Sequence, residues 1–150
     1  MKLAHNVKLS VFAHEGEDTG KISEALKGLC PFDLEKEKVA LKTTIATGFK
    51  ERKITIFEVF LKKERHTTRF LNHLKENLSE GHVNLIRSQA ESRLDSELNF
   101  FIRLDKAKLL KENKFYLTDS GDCFHIKISL AAYPANREAG LKVVEEWLKQ

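Results

Sequence analysis

Hydrophobic and polar residues alternate with a period of two in several stretches of the chain, as expected for β-strands with one buried face. A further stretch, 54–61, is a nearly continuous run of β-branched and aromatic residues, which also favours a strand. In the first strand Phe12 interrupts the polar phase, so we expect that face to be partly covered. The adjacent Phe100 and Phe101 place one aromatic ring on each face of another strand. The predicted strands are 7–13, 39–45, 54–61, 98–104 and 124–130.

Elsewhere the apolar residues recur at helical spacing and predict amphipathic helices. Asp18 or Thr19 is a suitable N-cap for the first helix, which should end near Gly28. Gly81 is expected to interrupt the second helix, and a third should begin near His82. The predicted helices contain the stripes at 22–29, 70–78, 83–94 and 141–148, and 105–112 is a less regular helical segment.

The predicted order of elements is β-α-β-β-α-α-β-(α)-β-α, in which some strands follow each other directly. Strands joined as hairpins pair antiparallel, and the connection at 47–53 is longer than a tight two-residue turn. This order predicts an α+β fold: a two-layer sandwich with a mostly antiparallel sheet of about five strands and amphipathic helices packed on one face. At 150 residues the chain has the length of one domain, so we expect 1–150 to fold as a single unit.

Composition excludes several classes of protein. Hydrophobic residues make up 41% of the chain and charged residues 32%, which fits a packed core under a densely charged surface. No apolar run is long enough to span a membrane, and the first residues lack the apolar stretch of a secretion signal. The two cysteines, Cys30 and Cys123, make neither a disulfide framework nor a zinc site. We therefore expect a cytoplasmic protein.

Motifs for catalysis, cofactors and metals are absent from the sequence. There is no glycine-rich phosphate loop, no serine-hydrolase elbow, no HExxH and no CxxC. The six histidines are scattered, and no two of them lie three or four residues apart. We expect no enzyme activity, no catalytic residues, no cofactor and no metal site.

The net charge of +4 is unevenly distributed along the chain. Residues 14–38 carry seven acidic and four basic side chains. Residues 49–69 carry seven basic and three acidic ones, and residues 103–114 carry five basic and two acidic ones. Clustered lysines and arginines suit the phosphates of a nucleic acid, since each contact releases counterions. Alternatively, these basic side chains bind no partner and are simply solvated.

The hairpin tip at 49–53 illustrates these alternatives. Phe49 could stack on a base beside the cations of Lys50, Arg52 and Lys53. Equally, Phe49 could tuck under the hairpin while the charges are merely solvated, and these residues alone slightly favour that interpretation.

The tripeptide Arg-Leu-Asp occurs twice, at 93–95 and 103–105. As functional residues, Arg93, Asp95, Arg103 and Asp105 could hold a ligand or a backbone phosphate. As structural residues, the two aspartates would cap the following elements and the arginines would pair with nearby acids. The structural interpretation is favoured.

Three stretches taken together resemble a known family. They are NVKLSVFAHEGED at 6–18, RLDSELNFFIRLDK at 93–106 and IKISLAAYPANRE at 126–138. In that order they resemble a small archaeal family described as predicted RNA-binding proteins or predicted subunits of the archaeal exosome. The resemblance covers nearly the whole chain, and the central stretch is its most specific part.

The resemblance implies an α+β fold similar to the ribosomal protein that binds 5S RNA. It implies RNA binding, linked to RNA processing or degradation, and no catalytic residues or cofactor. This chain departs from the pattern before its third strand, where Glu51-Arg52-Lys53 stands in place of Gly-Asn-Pro.

The leading hypothesis is a non-catalytic RNA-binding protein, an accessory of the archaeal exosome or of other RNA processing, which contacts phosphates through segments 49–69 and 103–114. The alternative is a scaffold module that docks on an RNA-processing complex without touching RNA. The candidate RNA-contacting residues are Phe49, Lys50, Arg52, Lys53, Arg103, Lys106, Lys108, Lys111 and Arg137.

Overall fold

The computed structural model describes residues 2–149 and contains one five-stranded sheet. The strands are β1 (Ala4–His14), β2 (Leu41–Thr47), β3 (Lys53–Leu61), β4 (Asn99–Asp105) and β5 (Cys123–Leu130). Their order in the sheet is β2-β3-β1-β5-β4, and every neighbouring pair is antiparallel. The first strand in the chain is therefore the central strand of the sheet.

Six α-helices are present within the described residues, and they pack against one face of this sheet. They are α1 (Thr19–Gly28), α2 (Glu64–Asn77), α3 (Glu80–Ser88), α4 (Ala90–Arg93), α5 (Lys106–Glu112) and α6 (Arg137–Leu148). The apolar phase of β1, β3, β4 and β5 meets the helices, as Leu9, Val59 and Phe100 do in the core beside Phe70 and Trp147, whereas the edge strand β2 has no buried residue. The predicted α+β two-layer sandwich is confirmed.

Strand phases and helix caps mostly follow the sequence prediction. Asp18 caps α1, because its carboxylate accepts a hydrogen bond from the backbone N–H of Lys21 at 3.1 Å.

The cysteine thiols are buried, and burial raises the pKa of Cys30 to about 12 and that of Cys123 to about 11. Both side chains are therefore neutral thiols at physiological pH.

Two local predictions are wrong. The helix break lies before Gly81, because the Ser79 hydroxyl accepts from the His82 N–H at 3.1 Å and so starts α3 at Glu80. The predicted helix up to residue 94 is split at Gln89 into α3 and α4. The polar face of β1 is partly covered, as expected, since Asn6, Lys8 and Ser10 are half-buried there and Phe12 is 42% exposed.

One sheet face is thus packed against helices and the other is open. No helix within residues 2–149 combines the length and the apolar character needed to cross a membrane.

Candidate nucleic-acid interface

A row of four side chains crosses the open face of the sheet on four neighbouring strands. Phe60 of β3 pairs with Lys8 of β1, Lys8 pairs with Lys127 of β5, and Lys127 pairs with Phe101 of β4. Neighbouring strands lie about 4.8 Å apart, so the two phenylalanines are separated by roughly 14 Å. We call this arrangement the Phe60–Phe101 row: an aromatic ring at each end and two lysines between them.

The two rings of the row are exposed because of the period of two in the strands. Phe60 lies between the buried Val59 and Leu61, and Phe101 lies between Phe100 and Ile102, so both rings point away from the core. Phe60 is 43% exposed and Phe101 is 37% exposed. An aromatic side chain in the polar phase of a strand contributes little to the core, and a stacking partner is a reason to have it there.

A basic cleft surrounds Phe60 at one end of the row. Its volume is about 420 Å³, and Lys8, Lys42, Glu58 and Lys62 line it together with the ring. The Lys8 ammonium pairs with Glu58 at 2.7 Å, and the Lys62 ammonium lies 5.1 Å from the centre of the Phe60 ring. Three lysines against one carboxylate leave this cleft positively charged.

The hairpin tip between β2 and β3 lies at the end of the sheet where β1 ends at His14. Phe49 is 86% exposed, so the ring does not tuck under the hairpin, and the Lys50 ammonium lies 5.8 Å from its centre. Arg52 and Lys53 are also exposed. A cavity of about 390 Å³ lies between the tip and His14 at the end of β1.

Lys106 was predicted to contact RNA, but it is only 5% exposed. Its ammonium donates to the Phe12 carbonyl at 2.7 Å, to Glu17 Oε1 at 3.0 Å and to Asp122 Oδ1 at 2.9 Å. Burial alone would raise the pKa of Asp122, but the hydrogen bond and charge of Lys106 outweigh it and hold that pKa below its usual value. Lys106 is a structural residue that is not free to meet a phosphate.

The same two carboxylates and His14 bring potential metal ligands within 4.8 Å of one another. The ammonium of Lys106 hydrogen-bonds to both carboxylates and already supplies the positive charge that a bound metal ion would otherwise supply.

The other predicted contacts, in residues 103–114 and at Arg137, are not equally free to bind a ligand. Arg103 and Lys111 are exposed, whereas Lys108 pairs with Glu112 at 3.1 Å. The hydrogen bond to Glu112 is the main reason that the pKa of Lys108 is raised. Arg137 is exposed and donates to the carbonyls of Leu94 (3.0 Å) and Glu91, which closes the end of α4.

The basic residues of the hairpin tip and those of α5 do not merge into one surface. The acidic turn after β1 lies between them, since Glu15 accepts from the Lys53 N–H at 3.3 Å while Glu17 accepts from Lys106. The residues that do come together, Phe60, Phe101, Lys8 and Lys127, were not among the predicted contacts. The available signal was an aromatic residue in the polar phase of a strand, which the sequence shows at Phe12, Phe60 and Phe101.

Comparison with known proteins assigns the chain to a family. A family model described as RNA binding matches residues 6–130 of the chain. The chain belongs to the RNA-binding family. This family member is 32% identical over 147 residues to the RNA-binding protein PAB1135 of Pyrococcus abyssi, and the match covers 97% of this chain and 94% of the relative.

Solved structures share the fold of this RNA-binding family member. Protein AF2318 from Archaeglobus fulgidus is 30% identical with a TM-score of 0.84, and the match covers 96% of this chain and 99% of that chain. Mth689, a DUF54 protein from Methanothermobacter thermautotrophicus, is 28% identical with a TM-score of 0.77 and coverages of 98% and 99%. The resemblance to an archaeal family of RNA-binding proteins is therefore confirmed.

Proposed function

We propose that this protein is a non-catalytic RNA-binding protein that holds single-stranded RNA across the open face of its sheet. The observation that carries the proposal is the Phe60–Phe101 row. It combines the two groups that single-stranded nucleic acid requires: aromatic rings for the bases and cations for the backbone. The family description and the name of the Pyrococcus abyssi relative support RNA as the partner.

The spacing of the row favours a single strand over a duplex. Bases that stack on Phe60 and Phe101, roughly 14 Å apart across three strand spacings, must belong to different nucleotides of one strand. In a duplex the bases are stacked on each other and their faces are unavailable to a protein ring. Lys8 and Lys127 lie between the two rings, where the connecting phosphates would pass.

The charge of the open face also favours an anionic partner. The cations on or beside this face are Lys8, Lys42, Lys62, Arg103 and Lys127. Glu58, Asp105 and Asp119 are the acids on or beside this face, and the Asp105 carboxylate also accepts the Lys108 N–H at 2.8 Å to cap α5. The excess of cations makes affinity depend strongly on salt.

The hairpin tip is the second part of the proposed interface. Phe49, Lys50, Arg52 and Lys53 are exposed at the end of β2 and β3, where a strand that leaves the row toward His14 would meet them. Lys108 and Lys111 on α5 are peripheral in this proposal. Lys106 is left out because its buried ammonium already binds protein atoms, and Arg137 is left out because it lies at the start of α6 in the helix layer.

The proposal is tested by titrating the protein with a short unstructured RNA and with the same RNA annealed to its complement. Each base stacked on an aromatic ring contributes about 1–3 kcal/mol, so the single strand should bind at least roughly tenfold more tightly than the duplex. Affinity should fall steeply between two salt concentrations. Equal affinity for both forms, or no binding at low salt, would contradict the proposal.

We also propose a role for this protein in the cell. The resemblance of the central stretch implies an accessory role with the archaeal exosome or in other RNA processing, with residues 1–150 acting as one RNA-binding unit. The alternative function is a scaffold that docks on such a complex without touching RNA. The same titration separates the two, because a scaffold predicts no binding of either RNA.

A further inference from the structure

A cavity of about 280 Å³ lies at the β4 edge of the sheet, beside the exposed ring of Phe101. Two arginines contribute to its wall, one from the end of α4 and one from β4. A single carboxylate, two hydroxyls and an amide also line it. These lining residues are Arg93, Arg103, Asp119, Ser92, Thr118 and Gln89.

The repeated Arg-Leu-Asp tripeptide builds this cavity. Leu94 and Leu104 are buried in the core. Asp95 accepts the backbone N–H groups of residues 97 and 99 at 2.9 and 2.8 Å, and Asp105 caps α5. The structural interpretation of the aspartates is therefore correct. The interpretation of the arginines is wrong, because within residues 2–149 neither guanidinium lies within 4.0 Å of a carboxylate oxygen.

Arg93 is held in place with donors to spare. Its Nε and Nη2 donate to the Gln89 side-chain carbonyl at 3.1 and 2.7 Å, and its Nη1 donates to the Phe101 carbonyl at 3.1 Å. A guanidinium has five N–H donors, so donors remain for a ligand in the cavity. Burial lowers the pKa of Arg93, the negative charge of Asp119 raises it, and the positive charge of Arg103 lowers it. An anion between the two arginines would act in the same direction as Asp119 and offset the repulsion between them.

Thr118 supplies a further donor on the same wall. Its hydroxyl oxygen accepts the Ser120 N–H at 3.1 Å, which leaves the hydroxyl hydrogen free to donate. Two guanidinium groups and a hydroxyl suit the oxygens of a phosphate, because arginine presents its donors in a planar fork that matches phosphate geometry. Asp119 is the one acidic residue of the lining, so the cavity keeps a positive charge.

We propose that this cavity binds the phosphate of a nucleotide whose base stacks on Phe101. The inference rests on the proposed function, since it concerns the same strand of RNA at one end of the Phe60–Phe101 row. The phosphate could be an internal linkage or the end of a strand, and both offer the same chemistry to Arg93 and Arg103.

The test variant is Arg103→Gln, because Arg103 is exposed and makes no side-chain hydrogen bond to the described residues, whereas Arg93 also holds the backbone of β4. Loss of a charge-assisted contact should weaken binding of a single-stranded RNA about tenfold. The slope of log affinity against log salt should become shallower by about 0.7, the value for one phosphate of a single strand.

The matched control is Lys142→Gln, which removes one charge from α6 in the helix layer, where the side chain is 79% exposed. This control should change neither affinity nor slope beyond the small effect of net charge. A second variant, Arg103→Lys, should keep the slope but lose part of the affinity, because it retains the charge without the planar fork.

Three forms of one oligonucleotide distinguish the two sources of phosphate: a 5′-phosphate, a 3′-phosphate, and hydroxyls at both ends. A loss for Arg103→Gln that is equal in all three identifies an internal phosphate. A loss confined to one phosphorylated form identifies a strand end. Either result supports the cavity as a phosphate site.

The proposal is overturned if Arg103→Gln behaves like Lys142→Gln on all three oligonucleotides while the unaltered protein binds them. The proposed function would then stand, and only the phosphate site would be lost. If the unaltered protein binds none of the three at low salt, both the proposed function and the phosphate site are overturned.

Discussion

Replacing Phe60 and Phe101 together by leucine should weaken the binding of single-stranded RNA by roughly 30-fold or more. Each stacked base contributes about 1–3 kcal/mol, so the loss of both rings removes about 2–6 kcal/mol of binding free energy. Leucine keeps an apolar side chain on each strand but offers no flat ring. Fluorescence anisotropy with a labelled single strand measures the effect.

The matched control for this prediction is Tyr116→Leu, which removes an exposed aromatic ring from the helix side of the molecule. Tyr116 is 46% exposed and packs edge-on against His82 of α3. Its removal should leave RNA affinity within about twofold of the original, and thermal unfolding should show that all variants remain folded. An unchanged affinity for the Phe60 and Phe101 double variant would remove the row from the interface.

Replacing Lys106 by methionine should destabilise the protein by about 2–3 kcal/mol. The substitution leaves the Phe12 carbonyl without its donor and leaves Glu17 facing Asp122 without the ammonium between them. The cost stays moderate because the two carboxylate side chains are 33% and 50% exposed and can be hydrated. Chemical denaturation at neutral pH measures the change in the free energy of unfolding.

The effect of Lys106→Met should depend on pH. The folded protein holds the pKa values of Glu17 and Asp122 below their usual values, although burial alone would raise both. Their contribution to stability is therefore present above the unfolded pKa of about 4 and is lost as the pH falls through the folded values. The difference between the original protein and the variant should be largest at neutral pH and should shrink in acid.

Lys108→Met is the control on the same helix, since the Lys108–Glu112 pair is 43% exposed on both sides. An exposed pair contributes less than about 1 kcal/mol, so this variant should be nearly as stable as the original. Equal stability of the two methionine variants at all pH values would show that the buried ammonium of Lys106 is not a stabilising link.

The layered fold was largely predictable because its cause is local. A period of two in β1 and β5, and apolar stripes in α1 and α6, already separate buried from exposed positions. The break between α2 and α3 was misplaced because the Ser79 hydroxyl, a side-chain cap, decides it rather than the flexibility of Gly81. A glycine close to a helix start is compatible with the helix.

The candidate site was much less predictable, because it arises from strand order. Residues 8, 60, 101 and 127 are far apart in sequence, and only the order β3-β1-β5-β4 places them in one row. Lys106 illustrates the same difficulty. It lies in a segment whose apolar residues do not share one face. Its charge can be buried because Glu17 and Asp122, which are distant in sequence, bring their carboxylates to it.

The most direct test of the open sheet face as the RNA site is an NMR titration of the isotope-labelled protein with a short single-stranded RNA. We predict amide shifts along β1, β3, β4 and β5, contacts between base protons and the rings of Phe60 and Phe101, and unchanged amides in α2 and α6. Shifts at 49–53 would support the hairpin tip as the second part of the interface. Shifts confined to the helix layer, with unchanged rings at both ends of the row, would contradict the proposed interface.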